Sequence, residues 1–171
     1  MSEVIFEARD LQKKYFRHLV LNDFNMKIQE GSIYGFVGEN GAGKTTLIRL
    51  IAGLDYPTSG KISLFGESSP RGLIQQRSRL GFIVEGPALY MDMTAEQNLE
   101  IVRIQRGIAE KECVREMLEA MSLQETHQKR VRNFSLGMRQ RLGIAMALLG
   151  EPEFLVLDEP INGLDPTGIL E

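Results

Sequence analysis

The sequence has little cysteine, little histidine and no long uncharged stretch. Cys113 is the single cysteine, so no disulfide can form within the chain. Two scattered histidines, His18 and His127, do not suggest a Cys/His metal site. The longest run without a charged side chain, Leu142–Gly150, has nine residues, whereas a membrane-spanning helix needs about 20 apolar ones. Residues 1–10 are acidic and lack the basic-then-apolar order of a secretion signal. We therefore predict a cytoplasmic chain that does not cross a bilayer.

The charge balance bears on the kind of partner to expect. The 171 residues carry 20 Lys and Arg against 23 Asp and Glu, a formal net charge of −3, and 43% of them are hydrophobic. This is the composition of an ordinary globular protein, and the length predicts one domain. Slight net acidity gives no electrostatic reason to expect a nucleic-acid partner, and we predict none.

The first third of the chain predicts strands that lead into a glycine-rich loop and a helix. Apolar and polar residues alternate over 4–8 and 24–28, which is typical of half-buried strands. The uncharged, β-rich run Ser32–Val37 predicts a central, buried strand. Five of the 17 glycines fall within 31–43, and a helical pattern begins at Lys44. The predicted order is strand, glycine loop, helix.

The middle of the chain predicts a helical lobe over about 92–133. Thr94 and Gln97 have the spacing of a capping box, so a helix is expected from 95 to 106. A second helix is predicted by apolar residues with helical spacing, which are Val114, Met117, Leu118 and Met121. Further elements are predicted on either side of the lobe: strands at Lys61–Phe65, Leu80–Val84 and Phe154–Leu157, and a helix at Leu136–Leu149.

A nine-residue segment at the junction of the predicted buried strand and helix consists of the eight-residue pattern GxxxxGK[ST] followed by one more threonine. Its residues are Gly38, Glu39, Asn40, Gly41, Ala42, Gly43, Lys44, Thr45 and Thr46. Glycines let successive backbone N–H groups converge on phosphate oxygens, and a helix N-terminus adds positive potential. Lys44 supplies a point charge, and the Thr45 hydroxyl is suited to coordinate Mg²⁺. The segment predicts a site for a nucleotide triphosphate.

An apolar strand that ends in two carboxylates predicts the chemistry at that phosphate. Phe154–Leu157 is followed by Asp158 and Glu159. Asp158 is suited to hold the metal, and Glu159 to polarise a water that attacks the γ-phosphate in line. Alternatively, both acids merely solvate the end of a strand.

The segment Phe134–Arg141 gives the sequence its resemblance to the ATP-binding subunits of ABC transporters. It is similar to the family's LSGGQ signature, in which the serine and the second glycine contact ATP held by the P-loop of a second subunit. Ser135 and Gly137 match those positions, whereas Leu136 and Met138 depart from the first glycine and the glutamine. Ser135 is also suited to cap the predicted helix.

Three further positions resemble functional residues of the family. Asp165 belongs to a segment similar to the D-loop, and Tyr15 resembles the aromatic residue that stacks on adenine, with Phe16 as its rival. Glu85 stands where most members have the Q-loop glutamine, and a carboxylate can replace that amide as a ligand of Mg²⁺ or its water. Glu85, the signature and the segment 85–95 together resemble the bacitracin-type and lantibiotic resistance exporters.

The resemblance implies a fold, a reaction and partners. The fold is an α/β P-loop NTPase core with an N-terminal antiparallel β element and a helical insertion, forming one domain over 1–171. The implied function is binding and hydrolysis of ATP with Mg²⁺ at a head-to-tail homodimer or heterodimer. That reaction would drive export of a cargo, such as a peptide antibiotic, through a separate membrane permease. The subunit would lie peripherally on the inner face of the membrane, and Glu85–Tyr90 and the helical lobe are the predicted docking surface.

One family element has no counterpart in the sequence. The family's switch histidine follows the D-loop, but the sequence ends at Glu171, and His18 and His127 both precede the acid pair. We therefore expect the sequence to be that of a truncated subunit. A truncated chain has an alternative function as a nucleotide-binding module with little hydrolysis. A separate alternative is a non-transport ABC ATPase that acts on ribosomes or DNA.

Overall fold

A computed structural model describes residues 3–39 and 41–160. The chain divides into two compact units, of which the first ends at Arg79 and the second begins at Leu80. The prediction of one domain over the whole chain stays a prediction.

The first unit contains a three-stranded antiparallel sheet. Its strands are β1 (Val4–Tyr15), β2 (His18–Gln29) and β3 (Ser59–Leu64), and their order is β2-β1-β3. They include most of the residues of three of the four strands predicted in this region, and β1 and β2 are much longer than predicted. The buried apolar side chains of the sheet belong to alternating and bulged positions, among them Phe6, Ala8, Leu11, Leu21, Ile28, Ile62 and Leu64.

Two helices belong to the same unit. Helix α1 (Lys44–Ala52) begins at the predicted residue and ends at Gly53, whose left-handed backbone donates to the carbonyls of the last turn. Helix α2 (Pro70–Gln76) is absent from the predictions. The Ser69 hydroxyl caps it by accepting from the Gly72 amide, and proline occupies its first turn. Its seven residues are too few to show helical periodicity, which explains the omission.

The buried strand predicted at Ser32–Val37 is wrong. In the structure these residues form no strand, and the side chains of Ile33 and Val37 are fully or almost fully exposed. The described strands of this unit all pair in antiparallel fashion. A short apolar run of this kind is buried in a parallel sheet only when parallel neighbours flank it, and the described residues of the unit offer none.

The second unit contains a parallel strand pair. Strands β4 (Leu80–Ile83) and β5 (Phe154–Leu157) align Leu80 with Phe154 and Ile83 with Leu157. Strand β5 has the predicted bounds, and β4 ends one residue early. A side chain at Gly81 would place its Cβ 2.1 Å from the Ala147 carbonyl oxygen, so glycine lets the helix around Ala147 approach β4 closely.

Three α-helices and the segments that flank them supply the core of the second unit. The helices are α3 (Ala95–Gln105), α4 (Glu112–Ala120) and α5 (Leu136–Leu148), close to the predicted bounds. The capping box is confirmed: the Thr94 hydroxyl accepts from the Gln97 amide N–H, and the Gln97 side chain accepts from the Thr94 N–H. The core comprises Ala95, Leu99, Val114, Leu123, Val131, Phe134, Leu142, Ala145 and Leu149. Among the described residues, no helix is both long enough and apolar enough to span a membrane.

Candidate functional site

The predicted phosphate loop leads directly into α1. Lys44 is the first residue of the helix, and its Nζ donates to the carbonyls of Gly38 at 2.6 Å and Glu39 at 2.9 Å. The lysine side chain therefore folds back over the loop that precedes it. An ammonium group held there lies among the backbone groups that are expected to surround a phosphate.

Gly43 sits at a position that only glycine can occupy without strain. Its φ is +88°, and an added Cβ would lie 2.9 Å from Leu21 Cδ2 and 3.0 Å from the Val20 carbonyl oxygen. Both neighbours belong to β2. The sheet therefore packs closely against the point where the loop becomes the helix, and this contact sets the position of the first turn of α1.

Tyr15, at the end of β1, reaches the same helix. Its hydroxyl donates to Asp55 Oδ2 at 2.5 Å, and the side chain of Thr46, in the first turn of α1, is close enough to act on the pKa of Tyr15. The side chain of Tyr15 is partly exposed. Its rival Phe16 is fully exposed, with a φ of +51° at the hairpin turn. The structure thus brings Tyr15 to the phosphate-loop helix and fixes its hydroxyl there.

The predicted acids lie at the carboxyl edge of the parallel strand pair. The Asp158 amide donates to the Ile83 carbonyl at 2.9 Å, which continues the β4–β5 pairing by one residue. Glu85 and Glu159 follow the two strands with φ values of +59° and +47°, so the chain turns sharply after each strand. Because parallel strands end at one edge of the sheet, Glu85, Asp158 and Glu159 belong to the same edge.

The residue types fit magnesium and do not fit a metal held by the protein alone. The predicted ligands Thr45, Glu85 and Asp158 offer hydroxyl and carboxylate oxygens, which Mg²⁺ prefers. Within 3–39 and 41–160, no group of three or more His, Cys, Asp or Glu is arranged to hold a metal ion. Mg²⁺ commonly completes its shell with water and substrate phosphates, and this donor set suits that mode.

The signature segment opens α5. The Ser135 hydroxyl accepts from the Met138 amide at 3.2 Å, so the capping role considered above is confirmed. Phe134 is buried in the core, whereas Leu136, which replaces the first signature glycine, is 63% exposed. The side chain of Leu136 therefore projects from the surface beside Ser135 and Gly137.

Gln140 is a buried polar residue of the same helix. Only 5% of it is exposed, and its Nε2 donates to the Pro160 carbonyl at 2.8 Å. Pro160 directly follows Glu159. One hydrogen bond therefore connects the signature helix to the segment that carries the predicted catalytic acid.

The predicted site and the structure differ at a few positions. Asn40 and Asp165 lie outside the described residues. Lys13 and Asp55 contact the predicted site residue Tyr15 but were missed. Lys13 is two residues from Tyr15 on one strand, which could have placed both on one face. No sequence signal indicated Asp55, because its contact with Tyr15 depends on the fold. Gln140 belongs to the signature segment, but its bond to Pro160 was not predicted.

Together, the glycine-rich loop, the helix it opens and the strand-end acids are features of the P-loop nucleotide-binding class. The sequence matches the family model "ABC transporter" over residues 21–162. The chain therefore belongs to the ABC transporter family, among its ATP-binding subunits.

Several curated relatives resemble the whole chain. It is 49% identical over 171 residues to the bacitracin transport ATP-binding protein BcrA of Bacillus licheniformis, covering 100% of this chain and 56% of that protein. It is 39% identical over 167 residues to the lantibiotic transport ATP-binding protein SrtF of Streptococcus pyogenes, covering 98% and 71%. The chain thus spans about half the length of the BcrA protein. These names agree with the predicted subgroup.

Solved structures share the fold. An ATP-binding subunit of an ABC transporter superposes with a TM-score of 0.87 at 34% identity, covering 97% of this chain and 70% of the other. An ATP-binding cassette, solved as a dimer in a post-hydrolysis state with ADP and Pi, gives 0.85 at 25% identity, covering 95% and 77%. The predicted α/β fold of the ABC ATPase type is confirmed.

Proposed function

We propose that this chain binds and hydrolyses ATP with Mg²⁺ and thereby drives export through a separate membrane permease. The phosphate loop, residues 38–46, binds the triphosphate, and Tyr15 stacks on the adenine. Thr45, Glu85 and Asp158 hold Mg²⁺, which neutralises phosphate charge. Glu159 orients the attacking water and accepts its proton.

The position of Lys44 is the observation that carries this proposal. Its ammonium lies within hydrogen-bond distance of two loop carbonyls, at Gly38 and Glu39. A γ-phosphate offers charged oxygens that are stronger acceptors than a neutral carbonyl, so a bound triphosphate would draw the ammonium from these carbonyls. Loop amides and a helix N-terminus beside it favour the same anion.

Removal of this charge tests the proposal. We expect Lys44→Ala to weaken MgATP binding at least about tenfold, because a charge-assisted hydrogen bond to phosphate contributes roughly 1.5–3 kcal/mol. Lys61→Ala removes an exposed lysine of β3 and is the matched control. Isothermal titration of both variants measures the difference. Equal affinities for MgATP in the two variants would refute the assignment of the phosphate loop.

Head-to-tail dimerisation would complete each site with Ser135 and Gly137 of a second ATP-binding subunit, in a homodimer or a heterodimer. Replacing Ser135 by Asp keeps a good helix cap but adds a negative charge where the phosphate would lie, whereas Ser135→Thr keeps both hydroxyl and cap. In a Glu159→Gln background, which should retain ATP, we expect the Thr variant to dimerise with MgATP and the Asp variant to stay monomeric. Sedimentation velocity distinguishes the two. Dimers in both variants would contradict the role of Ser135 at the interface.

The segment between β4 and α3 is the proposed permease-docking surface. Tyr90, Met91 and Met93 expose 47%, 38% and 37% of their surface there. Asn98, which is fully buried in α3, binds both the N–H and the C=O of Tyr90 and holds the segment on the lobe. Docking would place the chain peripherally at the cytoplasmic face of the membrane. We expect Tyr90→Glu to reduce co-purification with the permease, and Ile74→Glu, which alters an exposed apolar residue of α2 outside the predicted docking surface, to leave it unchanged.

Export of peptide antibiotics is the proposed outcome. The names of the bacitracin and lantibiotic transport relatives support it. Cells that express the protein with its permease should tolerate more bacitracin or lantibiotic than cells that carry Lys44→Ala. Equal susceptibility to both compounds would argue against this cargo class.

A further inference from the structure

Asp55 joins a tyrosine, a lysine and a backbone segment in one hydrogen-bonded cluster. Its Oδ2 accepts from the Tyr15 hydroxyl at 2.5 Å, and its Oδ1 accepts from Lys13 Nζ at 2.5 Å. Oδ1 also accepts from the Tyr56 amide at 2.7 Å, and Lys13 donates to the Tyr56 carbonyl at 2.8 Å. Both carboxylate oxygens of Asp55 therefore accept hydrogen bonds. The Tyr15 hydroxyl is thus bound to a side chain that Lys13 and the Tyr56 amide hold in place.

Lys13 restricts the ring of Tyr15 from one side. The lysine is only 8% exposed, and its ammonium lies 4.7 Å from the centre of the ring. A cation over an aromatic face is attracted by the negative potential of that face. Because Lys13 occupies one face, a planar base can stack only on the other. Tyr15 keeps 37% of its surface exposed, which leaves room for such a contact.

The charges in the cluster keep the Asp55 carboxylate ionised and the Tyr15 hydroxyl protonated. The Lys13 ammonium, followed by the Tyr15 hydroxyl, lowers the pKa of Asp55 from 3.8 to about 2, so this carboxylate is ionised at neutral pH. The hydrogen bond to that carboxylate raises the pKa of Tyr15. The phenol therefore remains a donor, and the tyrosine hydroxyl stays bound to Asp55 over the whole neutral range.

We infer that Asp55 and Lys13 are positioning residues that hold the Tyr15 ring ready to stack on the adenine of ATP. The inference rests on the proposed nucleotide site. It adds to the proposed nucleotide site two residues that lie outside the predicted motifs. Lys44 begins α1 at the triphosphate, and Asp55, two residues after its C-cap Gly53, fixes the base platform.

The test separates the base from the phosphates. MgATP and magnesium tripolyphosphate, which lacks base and ribose, are titrated against the same variants. We expect Asp55→Ala to bind MgATP about tenfold more weakly and tripolyphosphate within about twofold of the wild type. Tyr15→Phe keeps the ring and loses only the link to Asp55, so it should also lose affinity for MgATP and keep tripolyphosphate. If Asp55→Ala fails to fold, the affinities of Tyr15→Phe test the inference on their own.

Glu7→Ala is the matched control. Glu7 is another carboxylate of the same unit that forms ion pairs with cationic side chains, Arg9 at 2.7 Å and Lys27 at 2.9 Å, and its pKa is also lowered to about 2. Its removal should change neither affinity.

Three outcomes decide the inference. It is overturned if the folded Tyr15→Phe protein binds MgATP as the wild type does, or if Asp55→Ala weakens both ligands equally. The proposed function is tested separately by Lys44→Ala, which should weaken both ligands. A wild-type protein that binds neither ligand would overturn the proposed function and this inference with it.

Discussion

The two units hold their predicted site residues by different means. In the first unit, side chains do this: Lys44 is bound to loop carbonyls, and Tyr15 to Asp55. In the second unit, hydrogen bonds that involve the backbone hold these residues in place. Parallel pairing fixes Asp158 beside Ile83, and a helix cap fixes Ser135.

This difference suggests a division of labour under the proposed function. The first unit contains the groups that would grip the base and the phosphates. The second contains the acids and the signature, connected through Gln140, which would act during turnover. Variants of Lys44 and Tyr15 in the first unit should therefore change nucleotide affinity, and variants of Glu159 and Gln140 in the second should change turnover at constant affinity.

Glu159→Gln should give the largest effect. The amide cannot accept the proton of the attacking water, and general-base catalysis contributes typically 10²–10⁴-fold to the rate. We expect phosphate release to fall by at least about 100-fold while MgATP affinity stays within about twofold. Glu153→Gln, an exposed acid just before β5, is the control. Turnover that survives in Glu159→Gln would remove this residue from the mechanism.

Gly43→Ala should weaken nucleotide binding and stability together. The added Cβ would be crowded by Leu21 and the Val20 carbonyl at a φ of +88°. A left-handed backbone alone costs a non-glycine residue roughly 1–2 kcal/mol. Gly31→Ala is the matched control, because it has a φ of +72° and no atom within 4 Å of the added Cβ. We expect both variants to melt earlier but only Gly43→Ala to lose MgATP affinity, by about tenfold. Equal affinities would show that the contact with β2 does not shape the loop.

Gln140→Leu should slow turnover without weakening binding. The Pro160 carbonyl would lose its donor, and a hydrogen bond of this kind contributes about 0.5–1.5 kcal/mol. Arg139→Leu is the control on the same helix, since it removes bonds to the Val131 and Arg132 carbonyls instead. We expect kcat to fall about tenfold in the first variant only. A fall in both variants would indicate a general effect on α5.

The smallest expected effect is a change in the Tm at acidic pH that arises from two carboxylates of the first unit. The pKa values of Glu7 and Asp55 are lowered to about 2 from 4.5 and 3.8. A carboxylate with a lowered pKa stabilises the fold above its unfolded pKa and loses this contribution as the pH falls toward 2. The double variant Glu7→Gln, Asp55→Asn should therefore lose less Tm between pH 6 and pH 3 than the wild type. Parallel losses would contradict the assigned charges.

Local patterns predicted much of the second unit and less of the first. The capping box at Thr94, the cap at Ser135 and strand β5 depend on neighbouring residues, and all three are confirmed. The strand predicted at 32–37 depends on partners that are distant in sequence, and it is absent. The contact between Tyr15 and Asp55 spans 40 residues, so no local pattern could indicate it.

The affinities of Lys44→Ala and Glu159→Gln for MgATP, measured side by side with that of the wild type, test the central claim most directly. The account predicts that Glu159→Gln binds MgATP like the wild type and that Lys44→Ala binds at least about tenfold more weakly. Equal affinities in all three proteins would contradict it.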